Sequence, residues 1–353
     1  MPFHIALSRY IDLADIKQQA AQGLRPRHAM GQLADRLDAT VHYPGDQPGK
    51  WFDPLLSKAI GSPQLWAYAR ELAGKLTSDD VIYCPDEEIG LPLAALCSGQ
   101  KNRPHIVVLV HNVDRPRAKL TLQAHSGFRS ADLYLAVSQR QVDFLRDTVG
   151  IPAERTGFVP DQTDLNFFHP AAVKPPNERP LLVSAGLEKR DYRVFAEAAG
   201  DLDVDVRITG FSADTKREGL RFPDEWPANF SRRRYEWPEL AELYQGADIV
   251  VVPVEPNPYA AGITTIVEGM ASGVPVITSR TEGLKGYLDD PDAMLYVPPD
   301  DAAALREAIT SLLNDPERRA AMGERGLEIA RERYGSDYHV KLIAGHMERL
   351  AGR

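Results

Sequence analysis

The stretch over residues 249–278 constrains the fold more than any other part of the sequence. Residues 249–253 are an apolar run, Ile-Val-Val-Val-Pro, typical of a parallel strand that is covered on both faces. A turn containing Gly262 follows, then a predicted helix over residues 263–272 and a second apolar strand over residues 274–278. A strand–loop–helix–strand unit of this kind predicts a parallel sheet with helical crossovers.

The same alternation of strands and helices runs along the whole chain, which indicates an α/β protein. Its 353 residues are enough for two domains, each with its own core. We predict two Rossmann-like domains that face a cleft at the carboxyl ends of their strands: residues 1–165, a proline-rich linker over 166–180, and residues 181–335. The predicted strands cover residues 3–8, 39–43, 81–84, 105–111, 133–137 and 156–159 in the first half, and 180–184, 204–209, 249–254 and 274–278 in the second.

The composition is that of a soluble globular protein and argues against nucleic-acid binding. The formal net charge is −9, whereas a nucleic-acid-binding face needs an excess of basic residues. Cys84 and Cys97 lie in apolar segments and fit a reduced compartment better than a disulfide framework. We find no signal peptide and no apolar run long enough to span a bilayer. We therefore expect a cytoplasmic protein, and peripheral membrane contact stays open.

Gly262 and the helix after it predict an anion-binding site. The first N–H groups of a helix lack partners within the helix and carry partial positive charge, so they attract phosphate oxygens. Gly262 lets the backbone approach a ligand closely, and Thr264 adds a hydroxyl near the helix start. Glu268 follows more than one turn later, where its carboxylate can accept hydrogen bonds from sugar hydroxyls. The alternative is that Glu268 is an ordinary solvated residue.

The segment that starts at Glu268 and continues Gly-Met-Ala-Ser-Gly-Val-Pro-Val resembles the nucleotide-sugar-binding signature of the family-four glycosyltransferases, which have the GT-B fold. The resemblance implies retaining transfer of a hexose from a nucleoside diphosphate sugar, without a metal or other cofactor, and a ribose contact at Glu268. It also implies that the last helix, within residues 336–353, crosses back to the first domain. A terminal helix on the second domain is the alternative. One family position differs, because Ala260 replaces the glutamate that contacts the donor sugar.

The loop Gly186-Leu-Glu-Lys-Arg-Asp-Tyr predicts the group that stabilises the leaving diphosphate. The resemblance implies that cations in this loop neutralise the diphosphate while the acceptor attacks from the same side as the leaving group. Arg190, whose guanidinium can bind two phosphate oxygens at once, is the leading candidate, and Lys189 is the second. Leu187 occupies the position of a family arginine. The alternative is that both cations are solvated loop residues.

Polar residues also follow the predicted strands of the first domain. His111 ends an apolar strand, and the resemblance places a histidine there near the transferred sugar, where it would orient hydroxyl groups. The candidate acceptor contacts are Glu87, Glu88, Asn112 and Ser138. A structural role is the alternative for His111, and helix capping is the alternative for the glutamates.

These residues define a predicted catalytic set and a predicted donor site. The catalytic set is His111, Arg190 and Glu268, and the donor site adds Gly186, Lys189, Gly210, Tyr259, Gly262, Ile263 and Thr264, with base contacts around residues 210–211 and 234–237. The expected partners are a nucleotide sugar and a carbohydrate, lipid-linked or small-molecule acceptor. Because Ala260 and Leu187 differ from the family, a catalytically silent nucleotide-binding scaffold is one alternative, and a GT-B nucleotide-sugar epimerase is another.

Overall fold

The computed structural model describes residues 1–124, 126–210, 221–287 and 290–352. The chain divides into two compact units. The first comprises Met1–Lys17, His28–Pro160 and His339–Arg353, and the second comprises Gln18–Arg27 and Asp161–Tyr338. Each unit is built on one six-stranded parallel sheet, so the predicted α/β class is confirmed.

The sheet of the first unit has the strand order β2-β1-β3-β4-β5-β6. Successive residues of a strand point to opposite faces of a sheet, and here both faces are apolar: Ile82 and Val108 pack in one core, whereas Tyr83 and Val107 pack in the other. The strands are β1 (Phe3–Ala6), β2 (Thr40–His42), β3 (Val81–Cys84), β4 (His105–Val110), β5 (Leu133–Ala136) and β6 (Thr156–Phe158). The helices of this part of the chain are α1 (Leu13–Ala21), α2 (Ala29–Leu37), α3 (Asp53–Leu56), α4 (Pro63–Lys75), α5 (Glu87–Cys97), α6 (Pro116–Ala124) and α7 (Gln139–Asp143).

The last helix, α13 (Ser336–Leu350), contributes most of its length to the first unit. Its residues Val340, Ile343 and Met347 are buried in the same apolar cluster as Ile5 of β1. Their spacing places them on one helical face. The expectation that the end of the chain packs on the first domain is therefore confirmed.

The sheet of the second unit has the strand order β12-β11-β10-β7-β8-β9. The strands are β7 (Leu181–Ala185), β8 (Asp205–Thr209), β9 (Phe230–Arg232), β10 (Ile249–Val252), β11 (Val276–Ser279) and β12 (Met294–Val297). The helices are α8 (Tyr192–Ala199), α9 (Trp237–Gly246), α10 (Ile263–Ala271), α11 (Ala302–Asn314) and α12 (Pro316–Ile329). The strand–loop–helix–strand unit expected over residues 249–278 is thus β10, α10 and β11.

The sequence did not predict β9 and β12 of the second unit, and each of them lies at an edge of the sheet. In β9 only Phe230 is buried, and in β12 the two central residues are half-exposed. β9, Phe-Ser-Arg, therefore lacks the continuous apolar run of the central strands. β12 is an apolar run, Met-Leu-Tyr-Val, but a run this short does not distinguish a strand from a buried helix.

Cys84 and Cys97 are buried free thiols, as expected for core residues. Across the described ranges, no helix combines the length and the apolar character that crossing a bilayer would require.

Candidate functional site

A cavity of about 680 Å³ lies at the carboxyl edge of the sheet in the second unit. Ala185 ends β7 and Thr209 ends β8, and both line the cavity together with the N-terminus of α10. In open parallel sheets the loops at this edge carry the ligand-binding groups. The fold thus brings the loop after β7 and the loop before α10 to one cavity, although about 75 residues separate them in the sequence.

The N-terminus of α10 is open to this cavity. Gly262 precedes the helix with a φ of 92°, and no side chain caps the helix there. A Cβ at Gly262 would lie 2.8 Å from a methyl carbon of Val252, so the position requires glycine. Ile263 and Thr264 of the first turn line the cavity beside it. The first turn of an uncapped helix offers N–H groups to an anion.

Glu268 lines the same cavity from the side of α10, and only 7% of its surface is exposed. Its Oε2 accepts a hydrogen bond of 2.9 Å from the hydroxyl of Tyr244 on α9. The pKa of Glu268 is raised to about 8, mainly by burial and also by the nearby carboxyl of Asp161, whereas Tyr244 and Arg190 act to lower it. This raised pKa favours the protonated form of Glu268 near neutral pH.

Arg190 lines the cavity as a buried cation that is 5% exposed. Its Nε donates to the carbonyl of Ala185 at 2.9 Å, its Nη1 donates to the carbonyl of Glu188 at 2.9 Å, and its Nη2 donates to Thr265 Oγ1 at 3.2 Å. Burial lowers the pKa of Arg190, yet an arginine keeps its charge near neutral pH. The side chain therefore supplies a fixed positive charge and ties the loop after β7 to α10.

The loop that carries Arg190 has two residues with positive φ. Gly186 has a φ of 88° and Lys189 a φ of 57°, and a Cβ at Gly186 would lie 2.8 Å from Arg190 Nη2. The Lys189 ammonium lies 3.8 Å from the carboxylate of Glu255, and Lys189 is not among the residues that line the cavity. Of the two predicted cations, Arg190 is thus the one at the cavity.

The cavity also holds residues that sequence reasoning did not select. They include Asp161, Leu187, Glu188, Thr209 and Leu240. The sequence could have indicated Glu188, because it is an acidic residue in the loop that begins at Gly186. The prediction named only the basic residues that follow it. Leu187 was noted only as a departure from the family; its side chain packs in the apolar core of the unit. Ala260 and Tyr259 line the cavity as well.

An aromatic group borders the cavity near Glu268. Trp237 at the start of α9 lines the cavity and is 38% exposed. Its ring packs edge-on against Phe167, with centroids 6.5 Å apart. A partly exposed indole face is suited to stacking with a planar heterocycle. Of the predicted base contacts, Trp237 lines the cavity, Gly210 lies next to the lining residue Thr209, and Phe211 falls outside the described residues.

In the first unit, the Glu87 carboxylate binds the backbone of two predicted site residues, His111 and Asn112, which follow β4. Its Oε2 accepts the backbone N–H of His111 at 3.0 Å, and its Oε1 accepts that of Asn112 at 3.2 Å. His111 Nδ1 also lies 3.4 Å from Glu87 Oε2. These contacts lower the pKa of Glu87 against the opposing effect of burial. Glu87 therefore fixes the backbone of His111, while the His111 side chain is 49% exposed.

The other two predicted acceptor contacts, Ser138 and Glu88, have different surroundings. Ser138 is 2% exposed and caps α7 by accepting the N–H of Gln141 at 3.3 Å, which is a structural role. Glu88 is exposed in the first turn of α5, and its pKa is raised by partial burial and by the neighbouring acids. In the described part of the chain, no group of three or more histidine, cysteine or acidic side chains is arranged to hold a metal ion.

The sequence of the second unit matches a known protein family. Residues 229–328, which include α9, β10, α10 and β11, match the family described as glycosyl transferases group 1. The chain is 37% identical over 92 residues to a D-inositol 3-phosphate glycosyltransferase of Corynebacterium kroppenstedtii, a match that covers 26% of this chain and 20% of that protein. A D-inositol 3-phosphate glycosyltransferase 1 of Catenulispora acidiphila is 27% identical over 248 residues, which cover 63% of this chain and 59% of that one. The matches thus span between about a fifth and three fifths of these relatives.

The fold of the chain matches solved structures over nearly its full length. A sucrose-phosphate synthase of Thermosynechococcus elongatus superimposes with a TM-score of 0.70 at 18% identity and covers 99% of both chains. Anabaena HepE, solved in complex with UDP-glucose, superimposes with a TM-score of 0.66 at 17% identity over 99% of this chain and 100% of that chain. These likenesses concern the fold. The chain has the GT-B fold, and its residues 229–328 match the group 1 glycosyl transferase family.

Proposed function

We propose that this protein is a glycosyltransferase that moves a hexose from a nucleoside diphosphate sugar to an acceptor hydroxyl. The observation that carries the proposal is the single cavity shared by the open N-terminus of α10, the buried guanidinium of Arg190 and the carboxyl of Glu268. Helix N–H groups and a guanidinium are complementary to a diphosphate, and a carboxyl group is complementary to ribose hydroxyls.

The nucleotide would lie along the first turns of α10. Five residues separate Ile263 from Glu268, which corresponds to about 7.5 Å along a helix axis. This length suits a diphosphate at the helix start and a ribose beside Glu268. Trp237 borders the cavity on α9 and is the proposed stacking partner of the base.

In this proposal the protein itself supplies the positive charge for the leaving diphosphate. Arg190 is fixed by its bonds to Ala185 and Thr265 before substrate arrives, and a preorganised charge in a water-poor site stabilises charge that develops in the transition state. Retention of configuration with attack from the leaving-group side, and independence from metal ions, belong to the proposal. So does the role of His111 in orienting hydroxyl groups.

The first test is a thermal-shift panel with nucleoside diphosphates and their sugars, since a ligand that binds only the folded state raises its melting temperature. Uridine compounds are tried first, because HepE was solved with UDP-glucose. We expect a base-selective shift in the wild type that is lost in Glu268→Ala and kept in Glu317→Ala, which changes an exposed glutamate of α12. The absence of a shift with every nucleotide would contradict the proposal.

A catalytically silent nucleotide-binding scaffold is the second candidate. It is favoured by the apolar side chains of Leu187 and Ala260 at the cavity, where the resembling family carries an arginine and a glutamate. Transfer assays with the nucleotide sugar that binds best separate the two candidates. Product formation that depends on Arg190 and Glu268 would exclude the scaffold, and binding without transfer or donor hydrolysis would favour it.

A further inference from the structure

The loop after β7 places a carboxylate in the cavity that the group 1 signature does not account for. Glu188 and Tyr259 both line the cavity, and the Tyr259 hydroxyl donates a hydrogen bond of 2.9 Å to Glu188 Oε1. The two residues come from different loops, one after β7 and one before α10. The pair therefore joins the two loops at the cavity through a hydrogen bond between side chains.

Both members of the pair are held by their own loops. The backbone carbonyl of Glu188 accepts the 2.9 Å bond from Arg190 Nη1. The backbone N–H of Tyr259 donates to Asn257 Oδ1 at 3.2 Å, and Asn257, 7% exposed, donates from Nδ2 to the carbonyl of Glu255 at 2.7 Å. Groups fixed in this way bind a ligand without a large ordering cost.

The Glu188 carboxylate keeps acceptor capacity for a ligand. Its Oε1 accepts from Tyr259, and within the described residues no hydrogen bond reaches Oε2. An ionised carboxylate has about four lone-pair sites, and bonds from neutral donors to it are stronger than bonds between neutral groups. The free oxygen therefore suits the hydroxyl groups of a ligand in the cavity.

The position of the pair relative to α10 indicates which part of the donor it meets. The charges of Glu188 and Glu268 both act on the guanidinium of Arg190, which lies within electrostatic reach of each. Glu268 is a residue of α10, whereas Tyr259 lies in the loop that precedes α10. A diphosphate at the helix start, with its ribose beside Glu268, directs the attached sugar towards Tyr259 and Glu188.

We infer that Glu188, positioned by Tyr259, binds the hydroxyl groups of the donor sugar and makes the site selective for a neutral hexose. The inference rests on the proposed function and deepens it. Ala260 lines this region without a polar side-chain group, so Glu188 supplies the acceptor from another loop. Glu188 is exposed to solvent, and its negative charge repels a sugar that carries its own carboxylate.

Calorimetric titration with UDP, UDP-glucose and UDP-glucuronic acid tests the inference; GDP, GDP-mannose and GDP-mannuronic acid replace them if the protein prefers guanosine. In Glu188→Gln we expect the affinity for the nucleoside diphosphate to change less than twofold. The affinity for the neutral sugar nucleotide falls about tenfold, and the preference for it over the acidic sugar nucleotide shrinks. Tyr259→Phe removes the contact with Glu188 Oε1 and lowers the same preference by a smaller factor.

Glu317→Gln, which changes an exposed carboxylate of α12, is the matched control and leaves all affinities unchanged. Equal losses for UDP and UDP-glucose in Glu188→Gln would assign Glu188 to the phosphate region and overturn the inference, as would unchanged affinities for both. If the wild type binds no nucleotide, the proposed function itself fails. Nucleotide binding that is indifferent to the sugar leaves the proposed donor site standing and rejects the inference alone.

Discussion

The Tyr244 hydroxyl donates a hydrogen bond of 2.9 Å to Glu268 Oε2, and it does so inside the apolar interior of the second unit. Tyr244 is fully buried on α9, and Glu268 is almost fully buried on α10. This hydrogen bond favours the ionised form of Glu268, but burial has the larger effect and the pKa of Glu268 is raised to about 8. Glu268 is therefore costly to keep ionised in the folded protein, as is common for groups at functional sites.

Replacing Glu268 by glutamine should stabilise the ligand-free protein at alkaline pH. The pKa of Glu268 is raised from an ordinary 4.5 to about 8; the unfolded chain loses its proton first, so wild-type stability decreases as pH rises through this window. A glutamine does not titrate, and the melting temperature of Glu268→Gln relative to the wild type should rise from pH 5 to pH 8. Parallel melting curves for wild type and variant across this range would refute the shifted pKa.

Arg190→Lys should destabilise the second unit. A lysine keeps the charge but cannot make the directed bonds to Ala185, Glu188 and Thr265 at the same time. We expect a loss of about 2–4 kcal/mol in the free energy of unfolding, since buried acceptors lose a charged donor. Denaturant unfolding followed by tryptophan fluorescence measures it. Arg318→Lys, at an exposed position of α12, is the control and should stay within about 0.5 kcal/mol of wild type.

Gly262→Ala should weaken both folding and nucleotide binding. The φ of 92° strains any other residue, and the new Cβ would lie 2.8 Å from Val252. The expected destabilisation is about 1–3 kcal/mol, and nucleotide affinity falls because the start of α10 must shift. Gly31→Ala in α2, where a Cβ meets nothing within 4 Å, should be neutral or stabilising. A Gly262→Ala protein with wild-type melting temperature and affinity would contradict the assigned geometry.

Glu87→Gln should destabilise the first unit at neutral pH and have little effect in acid. The pKa of Glu87 is lowered below its ordinary 4.5 by its contacts with His111, so its stabilising contribution is complete above that value. The contribution is lost as pH falls through the lowered pKa of the folded protein. The difference in melting temperature between wild type and variant should therefore be largest near pH 7 and shrink as the pH falls below 4.5. A constant difference would show that the ionised form of Glu87 is not what stabilises this loop.

The sequence of α10 and its neighbours was sufficient to locate the cavity. Local patterns can be recognised without knowledge of the rest of the chain. Here they are the apolar run of the strand, the glycine at the helix start and the acidic residue more than one turn later. For the same reason the central strands β3 and β10 were predicted well. The edge strand β9 was not predicted, because Phe230 is its only apolar residue. The edge strand β12 was not predicted either, because a short apolar run alone does not distinguish a strand from a buried helix.

The partners of each polar side chain were decided only by the tertiary structure. Nothing in the sequence near Arg190 indicates that its guanidinium turns inward to Thr265, 75 positions away. Nor does the sequence show that Glu188 meets Tyr259 across 71 positions. Periodicity and turn residues act through neighbours along the chain, and they determined the α/β class and the start of α10 at Gly262. Charges and hydrogen bonds act through space, so the pKa of Glu268, the buried state of Arg190 and the free oxygen of Glu188 follow from the packing of distant loops at one edge of a sheet.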